Sequence, residues 1–152
     1  LNIFTTKWQK IPLCSSVNMK SMRYNPLPHT FYQNNRKAFS ESLKPNSLAV
    51  FNSNDIYPIS ADSTLPFAQH RDIFYLTGVD QEETILVLFP DAIEKKHREL
   101  LFVKETNAHI AVWEGAKLTK KAATEQSGIN TVYWLSEFER IFQELSTQCE
   151  CF

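Results

Sequence analysis

The segment "QHRDIFYLTGVDQEETILVLFP", residues 69–90, decides the fold because it holds two apolar runs around an acidic turn. The first run, residues 72–78, is rich in residues that favour β-structure and ends at a glycine. The second run, residues 83–89, contains five consecutive apolar residues, which is typical of a strand buried on both faces. The segment therefore predicts two strands joined by a short turn.

Outward from this segment, hydrophobic periodicity and capping residues predict alternating helices and strands. We expect helices within residues 25–46, 119–128 and 136–145, and strands at 47–53, 100–104 and 129–135. Residues 54–66 are rich in turn formers and predict a loop. Hairpin-like connections followed by helical crossovers predict an α/β fold in which helices flank a mixed β-sheet.

Two capping patterns support the later helices. Thr119 and Gly128 bracket the first of them, as an N-cap and a left-handed stop. Ser136 and Glu139 have the spacing of a capping box at the start of the second. The apolar residues of that last helix follow the i, i+3, i+4, i+7 pattern, so one face is expected to dock on the sheet.

Composition limits the classes of function. A length of 152 residues predicts one domain, and the net charge of −1 lacks the basic excess of a nucleic-acid binder. Without an apolar stretch of 18 residues, no membrane span is expected. The three cysteines, Cys14, Cys149 and Cys151, form no disulfide framework, which favours a reducing, cytoplasmic compartment.

The motifs of common catalytic sites are missing from the sequence. Its three glycines are too far apart for a phosphate-binding loop, and no G-x-S-x-G is present. The four histidines are dispersed, and His97, within "EKKHRE", is expected to be solvated. Neither a cofactor nor a metal is therefore predicted in this chain. The one carboxylate set worth weighing is Asp55, Asp62 and Asp72, which would suit a Mg²⁺-dependent nuclease, although the charge balance opposes that hypothesis.

Trp113 is the aromatic residue that raises a functional question. It lies in "HIAVWEG", just before a glycine and outside any clear helix or strand pattern. One interpretation is a core tryptophan, because this residue type is highly buried on average. The other is a ring that lines a pocket or an interface.

Several segments together resemble a known family. The stretches "SLAVFNSNDIYPISADSTLPF", "LPFAQHRDIFYLTGVDQEETILVLFP", "ELLFVKETNAHIAVWEGAKLT" and "SGINTVYWLSEFERIFQEL" resemble, in order and spacing, the N-terminal domain of the Xaa-Pro aminopeptidase (aminopeptidase P) and prolidase family. The resemblance implies a domain over residues 23–152 that is similar to the creatinase N-terminal domain and has a ribonuclease H-like motif. Residues 1–22 would then be an N-terminal extension, either disordered or non-native.

The resemblance also implies a partner domain and a reaction. Members of the family carry a C-terminal catalytic domain with a dinuclear metal site, usually Mn²⁺, held by two Asp, one His and two Glu. That site activates a water to cut the bond before a penultimate proline. No segment here matches those ligands, so we expect this chain to be a non-catalytic N-terminal domain, with its own C-terminal catalytic domain as partner.

Within the family, the N-terminal domain contributes oligomer contacts and shapes the substrate entrance. The positions that match entrance residues are Trp113, from the W-x-G motif, and Asp62, from "SADS". The sequence departs from the family pattern R-Q-N-S-D at residues 68–72, where it reads "AQHRD". The resemblance thus implies a homo-oligomer that acts on peptides with proline in the second position. The alternative is a stand-alone protein-interaction module of the same fold without peptidase activity.

Overall fold

The computed structural model describes residues 27–61, 63–107 and 117–150, and within these ranges helices alternate with strands. The helices are α1 (His29–Ser42), α2 (Arg71–Thr77), α3 (Lys120–Ser127) and α4 (Phe138–Ser146). The strands are β1 (Ala49–Asn52), β2 (Pro58–Ser60), β3 (Ser63–Thr64), β4 (Ile85–Leu88), β5 (Glu99–Val103) and β6 (Thr131–Trp134). Short 3₁₀ turns cover Lys95–His97 and Leu135–Glu137.

A four-stranded mixed sheet, in the order β1-β4-β5-β6, forms the centre of the described chain. β1 and β5 each run antiparallel to β4, whereas β6 runs parallel to β5. The parallel pair is possible because the connection between β5 and β6 contains α3, which allows the chain to cross back. The prediction of a mixed sheet flanked by helices is confirmed.

The central strands β4 and β5 are buried on both faces, which explains their uninterrupted apolar runs. Leu86 and Leu88 of β4 belong to a core cluster with residues of α2 and α3, and Phe39 of α1 packs against it. Val87, which points the opposite way, belongs to a second cluster with Ile141 of α4. Because neighbouring residues of a strand face opposite sides, a strand covered on both sides needs apolar residues throughout.

The prediction of a strand at residues 72–78 is wrong, because this segment forms helix α2. Ile73, Leu76 and Thr77 are buried, whereas Tyr75 is 56% exposed, a pattern that fits helical spacing and excludes strand alternation. His70 is the N-cap, and its Nδ1 accepts a hydrogen bond from the backbone N–H of Asp72 at 3.3 Å. Capping and periodicity therefore outweigh the β-forming composition of the segment.

Three smaller expectations are also corrected. The loop predicted at 54–66 contains the short β2–β3 hairpin. Ser136 is not a cap: its hydroxyl donates to Glu105, and Glu137 accepts from the backbone N–H of Trp134 at 3.1 Å. His97 is buried rather than solvated. The helix bounded by Thr119 and Gly128, by contrast, is confirmed, with Thr119 accepting from Ala122 and Gly128 left-handed.

Arg36 of α1 joins the helical layer to the sheet. Its guanidinium is fully buried and Nε lies 3.0 Å from a carboxylate oxygen of Glu99, at the start of β5. Nη1 donates to the carbonyl oxygens of Leu76 at 2.8 Å and Ser127 at 3.0 Å, near the ends of α2 and α3. Burial lowers the pKa of Arg36, and the charge and hydrogen bond of Glu99 act in the opposite direction.

Gly78 cannot be replaced without strain, for two separate reasons. Its φ of 71° is left-handed, and an added Cβ would lie 2.4 Å from two ring atoms of buried Tyr32. We expect Gly78→Ala to lower the free energy of unfolding by roughly 3 kcal/mol, from backbone strain and overpacking together. Urea unfolding followed by circular dichroism measures this loss.

Gly128→Ala is the matched control. This glycine has nearly the same φ, 73°, but an added Cβ would meet only the exposed side chain of Gln33, at 2.7 Å. Since that side chain can move away, the expected loss is only about 1 kcal/mol, from backbone strain. Equal losses at the two positions would refute the role assigned to the Tyr32 ring.

Candidate functional site

The two site residues suggested by sequence, Asp62 and Trp113, lie outside the described residues. The structure does describe the chain on both sides of each. Ser60 and Ser63 flank the first position, and residues 104–107 and 117–118 lie on either side of the second. The candidate region is therefore built from these flanking segments.

The chain leading to each of these two positions leaves the four-stranded sheet at the same end. In the antiparallel pairs, Ile85 at the start of β4 lies opposite Asn52 at the end of β1 and opposite Phe102 near the end of β5. The parallel pair places Trp134, the end of β6, beside Val103, the end of β5. The turn before β4 and the connections after β1, β5 and β6 therefore meet at the same end.

The β2–β3 hairpin follows β1 at this end and carries exposed apolar side chains. Its strands pair antiparallel, and Leu65 donates its backbone N–H to Tyr57 at 2.9 Å. Four large apolar residues of this hairpin are exposed, with Tyr57 reaching 69%: Ile56, Tyr57, Ile59 and Leu65. We call residues 56–65 the apolar hairpin. Such a concentration of exposed apolar residues is typical of an interaction surface.

The turn before β4, residues Gln81–Glu83, contacts both sides of the connection from β5 to α3. We call these residues the acidic turn. Glu83 binds Lys104 at 2.9 Å, and Glu82 binds Lys117. Gln81 Oε1 accepts from the backbone N–H of Leu118 at 2.7 Å. Three consecutive residues thus bind Lys104 on one side of position 113, and Lys117 and Leu118 on the other.

The ion pairs of the acidic turn differ in burial. The side chains of Glu82 and Lys117 are 8% and 15% exposed, whereas those of Glu83 and Lys104 are 45% and 24% exposed. Burial alone would raise the pKa of Glu82, but the hydrogen bond and charge of Lys117 outweigh it and hold the pKa below its usual value. Glu82 is therefore ionised at neutral pH and tied to Lys117.

Gln69 links the acidic turn to the base of the apolar hairpin. Its Nε2 donates to the carbonyl oxygens of Val79 at 3.1 Å and Gln81 at 2.8 Å. Its Oε1 accepts from the backbone N–H groups of His70 at 2.8 Å and Asn54 at 3.3 Å. One amide side chain thus fixes the entry to the hairpin, the start of α2 and the turn before β4 relative to one another.

The described residues do not assemble the carboxylates of the nuclease hypothesis. Asp55 and Asp72 are both exposed, and Asp72 lies in the first turn of α2, beside His70. Within residues 27–61, 63–107 and 117–150, no group of three or more His, Cys, Asp or Glu side chains is placed to hold a metal. The same ranges contain no helix long and apolar enough to span a membrane.

These features define an α/β domain with a mixed sheet. At one end of that sheet lie the apolar hairpin and the acidic turn, which binds residues on both sides of the connection from β5 to α3. The family model described as "Aminopeptidase P, N-terminal domain" matches residues 32–151. The chain belongs to this family, as its sequence resemblance indicates.

Individual relatives are consistent with this family assignment. The Xaa-Pro aminopeptidase of Escherichia coli K12 is 30% identical over 114 residues, which cover 75% of this chain and 26% of that enzyme. The solved Pseudomonas aeruginosa aminopeptidase PepP is 25% identical, with a TM-score of 0.72 over 79% of this chain and 27% of its own. Zinc-substituted Escherichia coli aminopeptidase P, solved with product, is 28% identical, with a TM-score of 0.70 over 80% of this chain and 27% of its own. The chain thus spans about a quarter of the length of the relatives that it matches.

Sequence reasoning identified the family but missed the contacts of Gln69, Gln81 and Glu82. These contacts join residues that are up to 37 positions apart, and no local pattern encodes them. Predicting residues 72–78 as a strand also concealed them, because it placed the acidic turn inside a hairpin. The one available signal was compositional: acidic residues precede β4, and lysines lie on both sides of the later connection.

The depressed pKa of Glu82 predicts an acid-sensitive contribution to stability. Because the folded-state pKa lies below the unfolded one, the contribution is complete above about pH 4.3 and is lost as the pH falls through the folded value. At neutral pH we expect Glu82→Gln to lower the free energy of unfolding by roughly 2 kcal/mol, a difference that shrinks under acid conditions. Urea unfolding of both proteins from about pH 7 to about pH 3 measures it.

Glu94→Gln serves as the control for that series. Glu94 also pairs with a lysine, Lys96 at 2.7 Å, but the side chains of this pair are more than half exposed. Solvent screens such a pair, so its loss should leave the unfolding curve unchanged at every pH. A pH-independent difference for Glu82→Gln would contradict the role of its charge.

Proposed function

We propose that this chain is the non-catalytic N-terminal domain of a Xaa-Pro aminopeptidase, a metallopeptidase that releases the N-terminal residue before proline. The observation that carries the proposal is the family match over residues 32–151, in which the chain covers about a quarter of the Escherichia coli enzyme. In this proposal the domain comprises residues 23–152, and residues 1–22 form an extension. In this proposal, peptide hydrolysis takes place in the catalytic domain that makes up the rest of such enzymes.

The proposed catalytic domain would hold a dinuclear metal centre, with Mn²⁺ as the expected ion. A metal is supported by the solved relative described as zinc-substituted and bound to product. Bound there, the metal pair would supply an activated water for hydrolysis. The described residues of this chain would contribute none of the ligands, since they hold no group of side chains arranged for a metal.

The proposed role of this domain is to shape the substrate entrance. A carboxylate at Asp62 would attract the free α-amino group of a peptide, and the ring of Trp113 would pack on a side chain or on the proline. Support comes from the sheet topology, because the chain leading to each position leaves the same end of the sheet. The substrate class is peptides with proline in the second position.

A second proposed role is contact between subunits. The apolar hairpin exposes Ile56, Tyr57, Ile59 and Leu65, and burying these side chains against another subunit would be energetically favourable. The same hairpin would also serve the alternative function, that of a stand-alone module which binds a protein partner through this surface.

The compartment proposed is the cytoplasm. The cysteine pattern, which forms no disulfide framework, supports it.

Sequencing the source gene beyond the codon for Phe152 separates the two functions. For the proposed enzyme we expect an open frame that supplies two Asp, one His and two Glu in metal-ligand order. The full-length product should then release the first residue of a Xaa-Pro peptide with Mn²⁺, whereas the 152-residue chain should not. A stop codon soon after Phe152 would overturn the proposal in favour of the interaction module.

Kinetics of the full-length product test the entrance role. We expect Trp113→Ala to raise KM for a Xaa-Pro peptide by about tenfold while changing kcat little, because the ring would bind substrate without touching the reacting atoms. The control is Tyr75→Ala, which truncates an exposed aromatic residue on α2. If Trp113→Ala leaves KM unchanged, or if both variants raise it equally, the entrance role is wrong.

A further inference from the structure

We propose that a pocket at the start of β5 and β6 binds the phosphate group of a small soluble molecule. The pocket lies between the 3₁₀ turn Lys95–His97, which precedes β5, and the chain that enters β6. The two strand starts are adjacent, since Leu100 lies opposite Thr131 in the parallel pair. The other end of that pair is formed by Val103 and Trp134. The pocket is therefore at the opposite end of the sheet from the acidic turn and the proposed substrate entrance.

The pocket has the size and the lining of an anion site. Its volume is about 480 Å³, within the range of small-molecule sites. The 3₁₀ turn and the residue that follows it contribute three cations, Lys95, Lys96 and Arg98. The chain that enters β6 contributes Asn130 and Thr131, whose side chains can donate hydrogen bonds. Cations together with neutral donors in one pocket suit an oxyanion.

The 3₁₀ turn places two of these cations on one face. The backbone N–H of Arg98 donates to the carbonyl oxygen of Lys95 at 3.3 Å, and side chains three positions apart in such a turn lie above one another. We call Lys95 and Arg98 the cation pair. Between them His97 is buried, and Phe89, which follows β4, donates its N–H to the carbonyl oxygen of Arg98 at 3.0 Å. The cation pair thus projects from a backbone that is held against the sheet.

The neighbouring carboxylates do not neutralise the cation pair. Glu94 binds Lys96 at 2.7 Å. Glu99, which also lines the pocket, binds the buried guanidinium of Arg36 at 3.0 Å. Within the part of the chain that the structure describes, the cation pair has no ion-pair partner. Two like charges on one face repel each other, and an anion bound between them would remove that repulsion.

The charge of the cation pair favours a phosphate group over a carboxylate. A phosphate monoester carries a charge of about −1.5 to −2 at pH 7, which matches two cations, whereas a carboxylate would leave one of them uncompensated. The guanidinium of Arg98 can bind two phosphate oxygens at once, and the ammonium group of Lys95 acts as a point charge beside it. The concave shape of the site favours a small molecule.

Nuclear magnetic resonance of the ¹⁵N-labelled 152-residue chain tests the site with inorganic phosphate at constant ionic strength. We expect saturable shifts of the backbone amides of Arg98 and Asn130. Lys95→Gln and Arg98→Gln should each weaken binding roughly tenfold, because each removes a charge-assisted contact. The control is Lys121→Gln, which removes a lysine that is 87% exposed and lies outside the pocket. No saturation in the parent, or an equal loss in the control, would contradict the proposal.

Thermal unfolding provides a second measurement and shows that the variants fold. Both side chains of the cation pair are exposed, so Lys95→Gln and Arg98→Gln should keep the circular dichroism spectrum of the parent. A ligand that binds the folded state raises Tm. We expect phosphate to raise the Tm of the parent and of Lys121→Gln but not that of the double variant. An equal rise in the double variant would show that phosphate acts elsewhere.

Two further probes separate other sources of negative charge. Hexaglutamate presents carboxylates as an acidic protein partner does, and phosphatidic acid in phosphatidylcholine vesicles presents phosphate on a lipid surface. We expect phosphate to bind more tightly than hexaglutamate, and the chain to stay in the supernatant when the vesicles are sedimented. Tighter binding of hexaglutamate, or sedimentation that is lost in the double variant, would overturn the assignment to a small soluble molecule.

Discussion

The arrangement of the helical layer depends on the hydrogen bonds and the ion pair that the guanidinium of Arg36 makes. The last carbonyl groups of a helix lack intrahelical partners, and the helix dipole makes that end negative. Arg36 donates to a carbonyl oxygen near the end of α2 and to another near the end of α3, so one cation satisfies two helix termini. Glu99 supplies the counter-charge and joins the group to β5. A buried arginine is tolerated here because Nε is paired with Glu99 and Nη1 is hydrogen-bonded twice, which leaves Nη2 as its one nitrogen without a partner among the described residues.

This arrangement determines where the candidate site begins. With the end of α2 fixed through Leu76, the chain turns at Gly78, where a side chain would collide with Tyr32. Gln126 of α3 donates to the carbonyl oxygen of Gly78, so the exit from α2 is held by two helices. The acidic turn follows directly, and the burial of Gln81 and Glu82 gives it a defined place beside the sheet, although the side chain of Glu83 is exposed.

The sequence predicts those parts of the fold that depend on local patterns. The apolar runs of β4 and β5 identify strands buried on both faces, and Thr119 with Gly128 identifies α3 by its caps. Helix α2 was missed because its seven residues are rich in β-formers, although the burial of Ile73, Leu76 and Thr77 follows helical spacing. The ion pairs of the acidic turn could not be predicted, since they depend on how the strands are paired.

Sheet topology connects these local and long-range features. A sheet covered on both faces has little free surface, so variable and functional groups must lie at its edges or at the ends of its strands. In this protein the strand directions bring the end of β1, the start of β4 and the end of β5 together. Segments that are far apart in sequence, one leading to Asp62 and one leading to Trp113, therefore begin at the same end. Among the described residues, Gln69 and the acidic turn are polar groups that hold these beginnings in place, through contacts that depend on the pairing of the strands.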